Sequence, residues 1–293
     1  MKFHRAKQVL ACIIAFASMP YSETRRQNSA PIACDFDESM GFARESHKDV
    51  RLKKEKMPLM KFCKDLYCKN NLAKIPVQKD PIIPKKVHLI WLGPKTPPPV
   101  FGACVASIKE FLPDWEYKLW TDQDVPGLHL HNQKYYDEET NYAAKADILR
   151  YELLYRFGGL YLDVDMVLLK SLNVLNHTYE FYTGLQPSCA YEVFAIGLIA
   201  SIAGHPILKH CIEEIKSHRN RRGIPSRTGP AHFEQSFYEV VKTISSERVI
   251  AFPASFFYPV EPDQKDNVEL HQYIKPESFT VHHWAASWWP KKR

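Results

Sequence analysis

The distribution of apolar residues along the 293-residue chain changes near residue 82. Residues 21–81 are rich in lysine, poor in apolar residues and only weakly periodic, which predicts a stem or a helical preface. Residues 87–92 then form a short apolar run, typical of a buried parallel strand. The elements predicted beyond this run are helices over 100–111, 143–157, 205–217 and 233–245, strands over 117–120 and 160–167, and an apolar segment over 193–201.

The order of these elements predicts an α/β fold with a mostly parallel central sheet that helices cover on both faces. Ligands of such sheets bind where the strands end. Trp91 lies near the end of the first apolar run, and Asp163 lies in the strand that begins after Gly159. We therefore expect the functional site at the edge of the sheet where Trp91 and Asp163 lie.

Residues 143–157 contain no glycine or proline, and Gly158 and Gly159 follow them. Good helix formers that stop at glycine predict a helix over this range. Asp147 and Arg150 are three positions apart, so their side chains share one helix face and can reach each other or a common ligand. The alternative interpretation of this pair is a plain salt bridge along the helix.

After the two glycines, apolar residues alternate with the series Tyr161, Asp163, Asp165 and Val167, which predicts one continuous strand. Asp163 and Asp165 would then point the same way, about 7 Å apart at the backbone. Two such carboxylates repel each other unless a cation or hydrogen-bond donors hold them. A hard divalent ion, Mn²⁺ or Mg²⁺, fits best and predicts a diphosphate substrate. An Asp-x-Asp pair alone more often marks a solvated strand end.

The surroundings of this pair favour the functional interpretation. The segment resembles the sugar-binding region of the retaining glycosyltransferases of glycosyltransferase family 32, which include the initiating α-mannosyltransferases, and more distantly the clostridial glucosylating toxins. The resemblance spans about residues 82–289. It is carried by five blocks in the same order, which are residues 83–93, 146–151, 158–165, 228–230 and 282–288. Ala146 departs from the family pattern, which usually has a serine there.

The resemblance implies a GT-A type nucleotide-sugar-binding fold over residues 82–293 and retention at the anomeric carbon. It implies that Trp91 contacts the nucleotide base, although a tryptophan after an apolar run can also belong to the core. It implies catalytic roles for Asp147, Arg150, Asp163 and Asp165. The first three would also bind the donor, with Arg150 near phosphate and Asp163 near ribose or sugar hydroxyls.

The residues expected to bind the metal come from the Asp-x-Asp segment and from the C-terminal block, and the C-terminal block is also expected to cover the donor. Asp165 would bind the metal directly beside Asp163, and His282 or His283 would complete the metal's coordination. Ser287 and Trp288 would close over the diphosphate, as part of a C-terminal lid that the metal and the nucleotide order.

These expectations describe a metal-dependent retaining glycosyltransferase. Its donor would be a UDP- or GDP-linked sugar, and its acceptor a hydroxyl group on a glycan, a lipid or a protein. Two alternatives remain open at this point. A metal-dependent phosphodiesterase or hydrolase also uses Asp-x-Asp with histidine, and a non-catalytic nucleotide-sugar-binding protein can share the scaffold.

The N-terminus predicts an exported protein. A basic start and an apolar run of about ten residues have the layout of a signal peptide within residues 1–20, or of a short anchor that gives membrane association. The compartment would be the lumen of the endoplasmic reticulum or Golgi in a eukaryote, and the periplasm or exterior in a bacterium. Six cysteines lie beyond this leader, either paired as disulfides or free and buried.

The charge of the chain argues against a nucleic-acid partner. The formal net charge is only +6, and Lys2, Arg5 and Lys7 supply half of it within the predicted leader. The remaining lysine and arginine clusters are typical of solvated surface, and no base-stacking motif accompanies them.

Overall fold

A computed structural model of the protein describes residues 34–41, 54–187, 192–262, 264–265 and 270–285. The helices of this part are α1 (Phe36–Met40), α2 (Met57–Asn70), α3 (Phe101–Phe111), α4 (Gln133–Glu138), α5 (Tyr142–Phe157), α6 (Asn173–Asn176), α7 (Pro206–His218), α8 (Ile224–Arg227) and α9 (Pro230–Val241). The strands are β1 (Lys86–Ile90), β2 (Glu116–Trp120), β3 (Gly159–Leu162), β4 (Met166–Leu168), β5 (Phe181–Leu185), β6 (Phe194–Ser201), β7 (Val249–Phe252) and β8 (Thr280–His282).

Six strands form the central sheet in the order β2-β1-β3-β6-β5-β7. β1 pairs parallel with β2 and β3, and β5 pairs parallel with β7. β6 alone runs against its neighbours β3 and β5. Helices α5, α7 and α9 pack together over the sheet, and α2 packs against β7. The predicted α/β class with a mostly parallel central sheet is therefore confirmed.

The topology brings three strand ends to one edge. The parallel strands β1 and β3 both end there, before Trp91 and Asp163. Because β6 is antiparallel to β3, with Leu162 opposite Leu198, the first half of β6 lies beside the end of β3. All eight residues of β6 are buried. Side chains from three segments that are distant in sequence therefore meet at this edge.

The prediction of one strand over residues 160–167 is wrong. β3 ends at Leu162, and the Asp163 amide still donates to the carbonyl of Gly197 at 2.8 Å. The chain then turns, with the Met166 amide donating to the Asp163 carbonyl at 3.0 Å. β4 leaves the central sheet and pairs antiparallel with β8 in a separate two-stranded sheet. Asp163 thus begins a turn and Asp165 lies within it, instead of both occupying one strand face.

The N-terminal segment contributes to the same core as the sheet. Phe36 and Met40 of α1 and Cys63 and Tyr67 of α2 are buried there. Glu234 in α9 accepts a hydrogen bond from the Lys56 ammonium, which also pairs with Glu192. Segments of low apolar content can still be amphipathic, and here several apolar residues of α1 and α2 face inward, although Met57 is exposed.

Two sequence predictions concern cysteines and membrane contact. The five cysteines that the structure describes are free, namely Cys34, Cys63, Cys68, Cys104 and Cys211. Among the described helices, none combines the length and the apolar character that crossing a bilayer requires. The predicted leader lies outside the described residues.

Candidate active site

The edge of the sheet carries a cluster of three potential metal ligands. Asp163 and Asp165 belong to the turn after β3. His282 ends β8, which pairs with β4 and places His282 opposite Met166. The His282 Nε2 atom lies 3.0 Å from Asp165 Oδ1 and 3.7 Å from Asp163 Oδ2. One ligand atom from each residue lies within 4.8 Å of the other two. Two carboxylates and one imidazole thus converge on one point.

Charge and burial fit this donor set. Asp165 and His282 are buried, and burial alone would raise the pKa of Asp165. The His282 imidazole and the Ala285 amide, which donates to Asp165 Oδ2 at 2.7 Å, outweigh burial and lower this pKa to about 2. Conversely, burial would lower the pKa of His282, but the carboxylates of Asp165 and Asp163 raise it. Asp165 is therefore a carboxylate at any physiological pH.

This donor chemistry fits Mn²⁺ or Mg²⁺. Carboxylate oxygens are preferred by both ions, and imidazole is accepted by the softer transition metals. The Nε2 atom of His282 faces both carboxylates, and it would have to be deprotonated to bind a cation held by them. His282 Nδ1 is buried and has no hydrogen-bond partner among the described residues.

A second charged group adjoins the first through Asp163. Arg150 lies 2.9 Å from Asp147 Oδ1 and 3.7 Å from Asp163 Oδ1, and it donates to the Ile196 carbonyl. The predicted pairing along the helix therefore forms, but the guanidinium also bridges to the Asp-x-Asp segment. Arg150 Nε is buried and has no partner within the described part of the chain. One donor of the guanidinium thus makes no hydrogen bond within the described part of the chain.

Burial affects the ionisation of Asp147. Asp147 is 5% exposed, and burial raises its pKa to about 6 although Arg150 and the Thr228 hydroxyl lower it. The Thr228 hydroxyl donates to Asp147 Oδ2 at 3.0 Å. Asp147 is therefore mostly ionised at neutral pH and becomes a neutral acid in mildly acidic solution.

Sequence reasoning gave no role to several residues that shape the site. The Tyr161 hydroxyl donates to Asp163 Oδ1 at 2.6 Å, and Arg150 lies over the Tyr161 ring at 4.3 Å. The spacing of two between Tyr161 and Asp163 was a usable signal, because residues two apart on a strand share a face. Thr228 belongs to a block of the family resemblance but carried no assigned function. Gly197 offered no signal in the sequence.

The other predicted site residues lie around this centre or outside the described part. Trp91 follows β1, is half-buried, and donates its indole N–H to the Lys95 carbonyl. Close to it, the ring of Tyr142 covers Gly93. His283 donates its amide to the Asp165 carbonyl at 3.0 Å, and His282, not His283, supplies the imidazole of the ligand cluster. Ser287 and Trp288, and with them the predicted lid, lie outside the described residues.

Gly197 yields the first testable prediction. A β-carbon at this position would lie 2.8 Å from Asp163 Oδ2, which is closer than real contacts allow. Gly197→Ala should therefore push the Asp163 carboxylate away from His282 and lower the affinity of the ligand cluster for Mn²⁺ roughly tenfold, a loss typical of changes around a metal site. The control is Gly127→Ala, where the added carbon meets nothing within 4 Å. Equal Mn²⁺ affinity of the two variants would contradict the tight approach.

Comparison with known proteins agrees with this site. Residues 98–182 match the family described as the glycosyltransferase sugar-binding region containing the DXD motif. Inositol phosphoceramide mannosyltransferase 3 of Schizosaccharomyces pombe is 29% identical over 137 residues, which cover 45% of this chain and 37% of the yeast protein. The uncharacterized glycosyltransferase L373 of Acanthamoeba polyphaga mimivirus is 23% identical over 216 residues, 71% of this chain and 85% of the viral one.

The match to the yeast protein thus spans little more than a third of its length. Among solved structures, the PaToxG glycosyltransferase is 20% identical, covers 77% of this chain and 86% of its own, and gives a TM-score of 0.48. The matched residues 98–182 contain Asp147, Arg150 and the segment 163–165. These matches indicate a glycosyltransferase, and the Asp163-Val164-Asp165 sequence, which has the Asp-x-Asp pattern, lies within the range that matches the sugar-binding region containing the DXD motif.

Proposed function

We propose that this protein is a metal-dependent retaining glycosyltransferase that moves a sugar from a nucleoside-diphosphate sugar to an acceptor hydroxyl. The observation that supports it most is the convergence of Asp163, Asp165 and His282 within 4.8 Å. Asp163 also lies 3.7 Å from Arg150, so the ligand cluster and the charged pair on α5 are continuous. Such a site has anion-binding and hydroxyl-binding groups side by side.

The residues have complementary tasks in this reaction. When the sugar–phosphate bond breaks, the sugar ring becomes positive and the leaving diphosphate gains negative charge. The positive charge of Arg150 would stabilise the leaving group, and Asp147 would accept hydrogen bonds from sugar hydroxyls and face the positive ring. Mn²⁺ or Mg²⁺, held by Asp163, Asp165 and His282, would supply further charge stabilisation to the diphosphate.

The configuration at the anomeric carbon would be retained because the acceptor attacks the same face of the sugar that the leaving group departs from. The acceptor hydroxyl would attack from that side and give its proton to the departing phosphate. Trp91 and Tyr142 are the aromatic candidates for contact with the nucleotide base, because they flank Gly93 just after β1. Ser287 and Trp288 remain candidates for contact with the diphosphate.

The named relatives suggest which donor to test first. Mannosyltransferases are among them, so a GDP-linked mannose leads the list, followed by UDP-linked glucose, galactose and N-acetylglucosamine. The acceptor belongs to a glycan, a lipid or a protein. We further propose a catalytic domain over residues 82–293, a stem or helical preface over 21–81, and a leader or short anchor that directs the protein to a secretory or exported location.

Donor turnover distinguishes this function from its two rivals. The protein should first be screened for thermal stabilisation by UDP- and GDP-sugars with Mn²⁺, since a ligand that binds the folded state raises the apparent stability. The stabilising donor is then incubated with an acceptor panel. We expect transfer of the sugar to an acceptor, and we expect a chelator to abolish this transfer. Release of free sugar alone would indicate a hydrolase, and stabilisation without turnover would indicate a binding protein.

A further inference from the structure

Trp284 lies next to the ligand cluster in an unfavourable backbone conformation. Its φ is 47°, and His129 is the other non-glycine residue of the described part with positive φ. Side chains with a β-carbon avoid this region. Residues persist there when their surroundings hold them, and they concentrate at ligand sites. The contacts that hold Trp284 are therefore informative.

Both the side chain and the main chain of Trp284 are anchored. Its ring centroid lies 4.1 Å from that of His282 and 5.9 Å from that of Tyr258. The indole N–H donates to the Val260 carbonyl at 2.9 Å. The Trp284 carbonyl accepts from the Lys265 ammonium at 2.8 Å. Four contacts on different sides thus fix both the ring and the turn.

The turn at Trp284 fixes the carboxylate of Asp165 from two directions. The residue after it, Ala285, donates its amide to Asp165 Oδ2 at 2.7 Å. The residue two before it, His282, faces Asp165 Oδ1 at 3.0 Å. Only a sharp turn between these residues lets both reach one carboxylate. The Trp284 ring, packed on His282, also limits rotation of the imidazole.

We propose that Trp284 is a positioning residue of the metal site. It holds the His282 ring and aims the Ala285 amide at Asp165, so that the ligand atoms converge before a cation binds. The inference rests on the proposed metal role, and it gives Trp284 no contact with the cation itself. Without this residue, the cation would have to order the site as it binds, and its affinity would fall.

Substitutions separate the ring from the backbone. Trp284→Ala removes the ring and its anchors but keeps a β-carbon that disfavours positive φ. Trp284→Gly also removes the ring but adopts this φ readily. Trp284→Phe keeps a ring and loses the indole hydrogen bond. Trp115→Phe is the matched control, because Trp115 is buried away from the site and donates its indole N–H to Asn173 Oδ1 at 2.8 Å.

Mn²⁺ affinity of the full chain is the first readout. We expect Trp284→Ala to weaken Mn²⁺ binding about tenfold or more, as loss of supporting residues around a metal typically does. Trp284→Gly should lose less, and Trp115→Phe should match the wild type. An affinity of Trp284→Ala within twofold of the wild type would overturn the proposal.

Amide hydrogen exchange at Ala285 in metal-free protein is the second readout, and it does not depend on the metal. The amide should be protected in the wild type and exchange faster in Trp284→Ala, with partial protection in Trp284→Gly. Equal protection in all three would overturn the positioning role. Absence of Mn²⁺ binding by the wild type would instead reject the proposed metal function, while this exchange still decides the role of Trp284.

Discussion

Asp165→Asn should abolish sugar transfer while leaving the fold intact. Asparagine keeps the size of the side chain and an oxygen that can accept from the Ala285 amide, and its NH₂ group can donate to His282 Nε2. It lacks the negative charge that a divalent cation requires. A bound metal stabilises charge in the transition state by several kcal/mol, and about 1.4 kcal/mol corresponds to tenfold in rate. The rate should therefore fall about a hundredfold or more.

Transfer rate, Mn²⁺ affinity and melting temperature should be measured together. The control is Asp114→Asn, which removes an exposed carboxylate that pairs with Lys85. We expect the control to match the wild type in transfer rate, Mn²⁺ affinity and melting temperature. Asp165→Asn should lose sugar transfer and Mn²⁺ binding, while its melting temperature shifts by only a few degrees. Transfer at the wild-type rate by Asp165→Asn, or in excess chelator, would reject the metal role.

Arg150→Lys should lower turnover at least about tenfold although it preserves the charge. The guanidinium of Arg150 contacts Asp147, Asp163 and the Ile196 carbonyl at once. A lysine ammonium is a compact point charge and cannot hold this planar arrangement. The Asp147 and Asp163 carboxylates would then no longer be held by one shared group, and the sugar donor would bind in a less productive geometry.

The matched control for Arg150→Lys lies on the same helix. Arg156 donates to the Leu128 and His129 carbonyls, so Arg156→Lys tests the general cost of this replacement in α5. Steady-state kinetics should show a lower kcat for Arg150→Lys and wild-type values for Arg156→Lys. Unchanged turnover in Arg150→Lys would mean that Arg150 only neutralises its neighbours.

The parts of the site that local sequence determines were predictable. α5 begins one residue before the predicted helix and ends with it at Phe157, because a run of helix formers stops at two glycines. The pairing of Asp147 with Arg150 follows from helical spacing alone. The Asp-x-Asp segment could be located because it follows directly on the helix, the two glycines and the strand, all of which are adjacent in the sequence.

The parts that depend on distant partners were not predictable. Nothing within residues 160–168 indicates that β4 leaves the central sheet, since its partner β8 lies more than a hundred residues later. The close approach of Gly197 to Asp163 depends on the register of β6 against β3. The burial of α1 and α2 was equally hidden, because hydropathy averaged over a segment does not record which face is apolar.

The two-stranded sheet of β4 and β8 has a consequence for how the protein would keep its ion. Each strand is only three residues long, and Asp165 and His282, which lie beside them, are 117 residues apart in the chain. A cation held by both residues would cross-link the chain and close the long loop between them. The entropic cost of closing such a loop rises with the logarithm of its length. Small sheets of this kind open locally far more often than a whole domain unfolds. The lifetime of the bound ion should therefore be set by brief opening of β8, not by global unfolding.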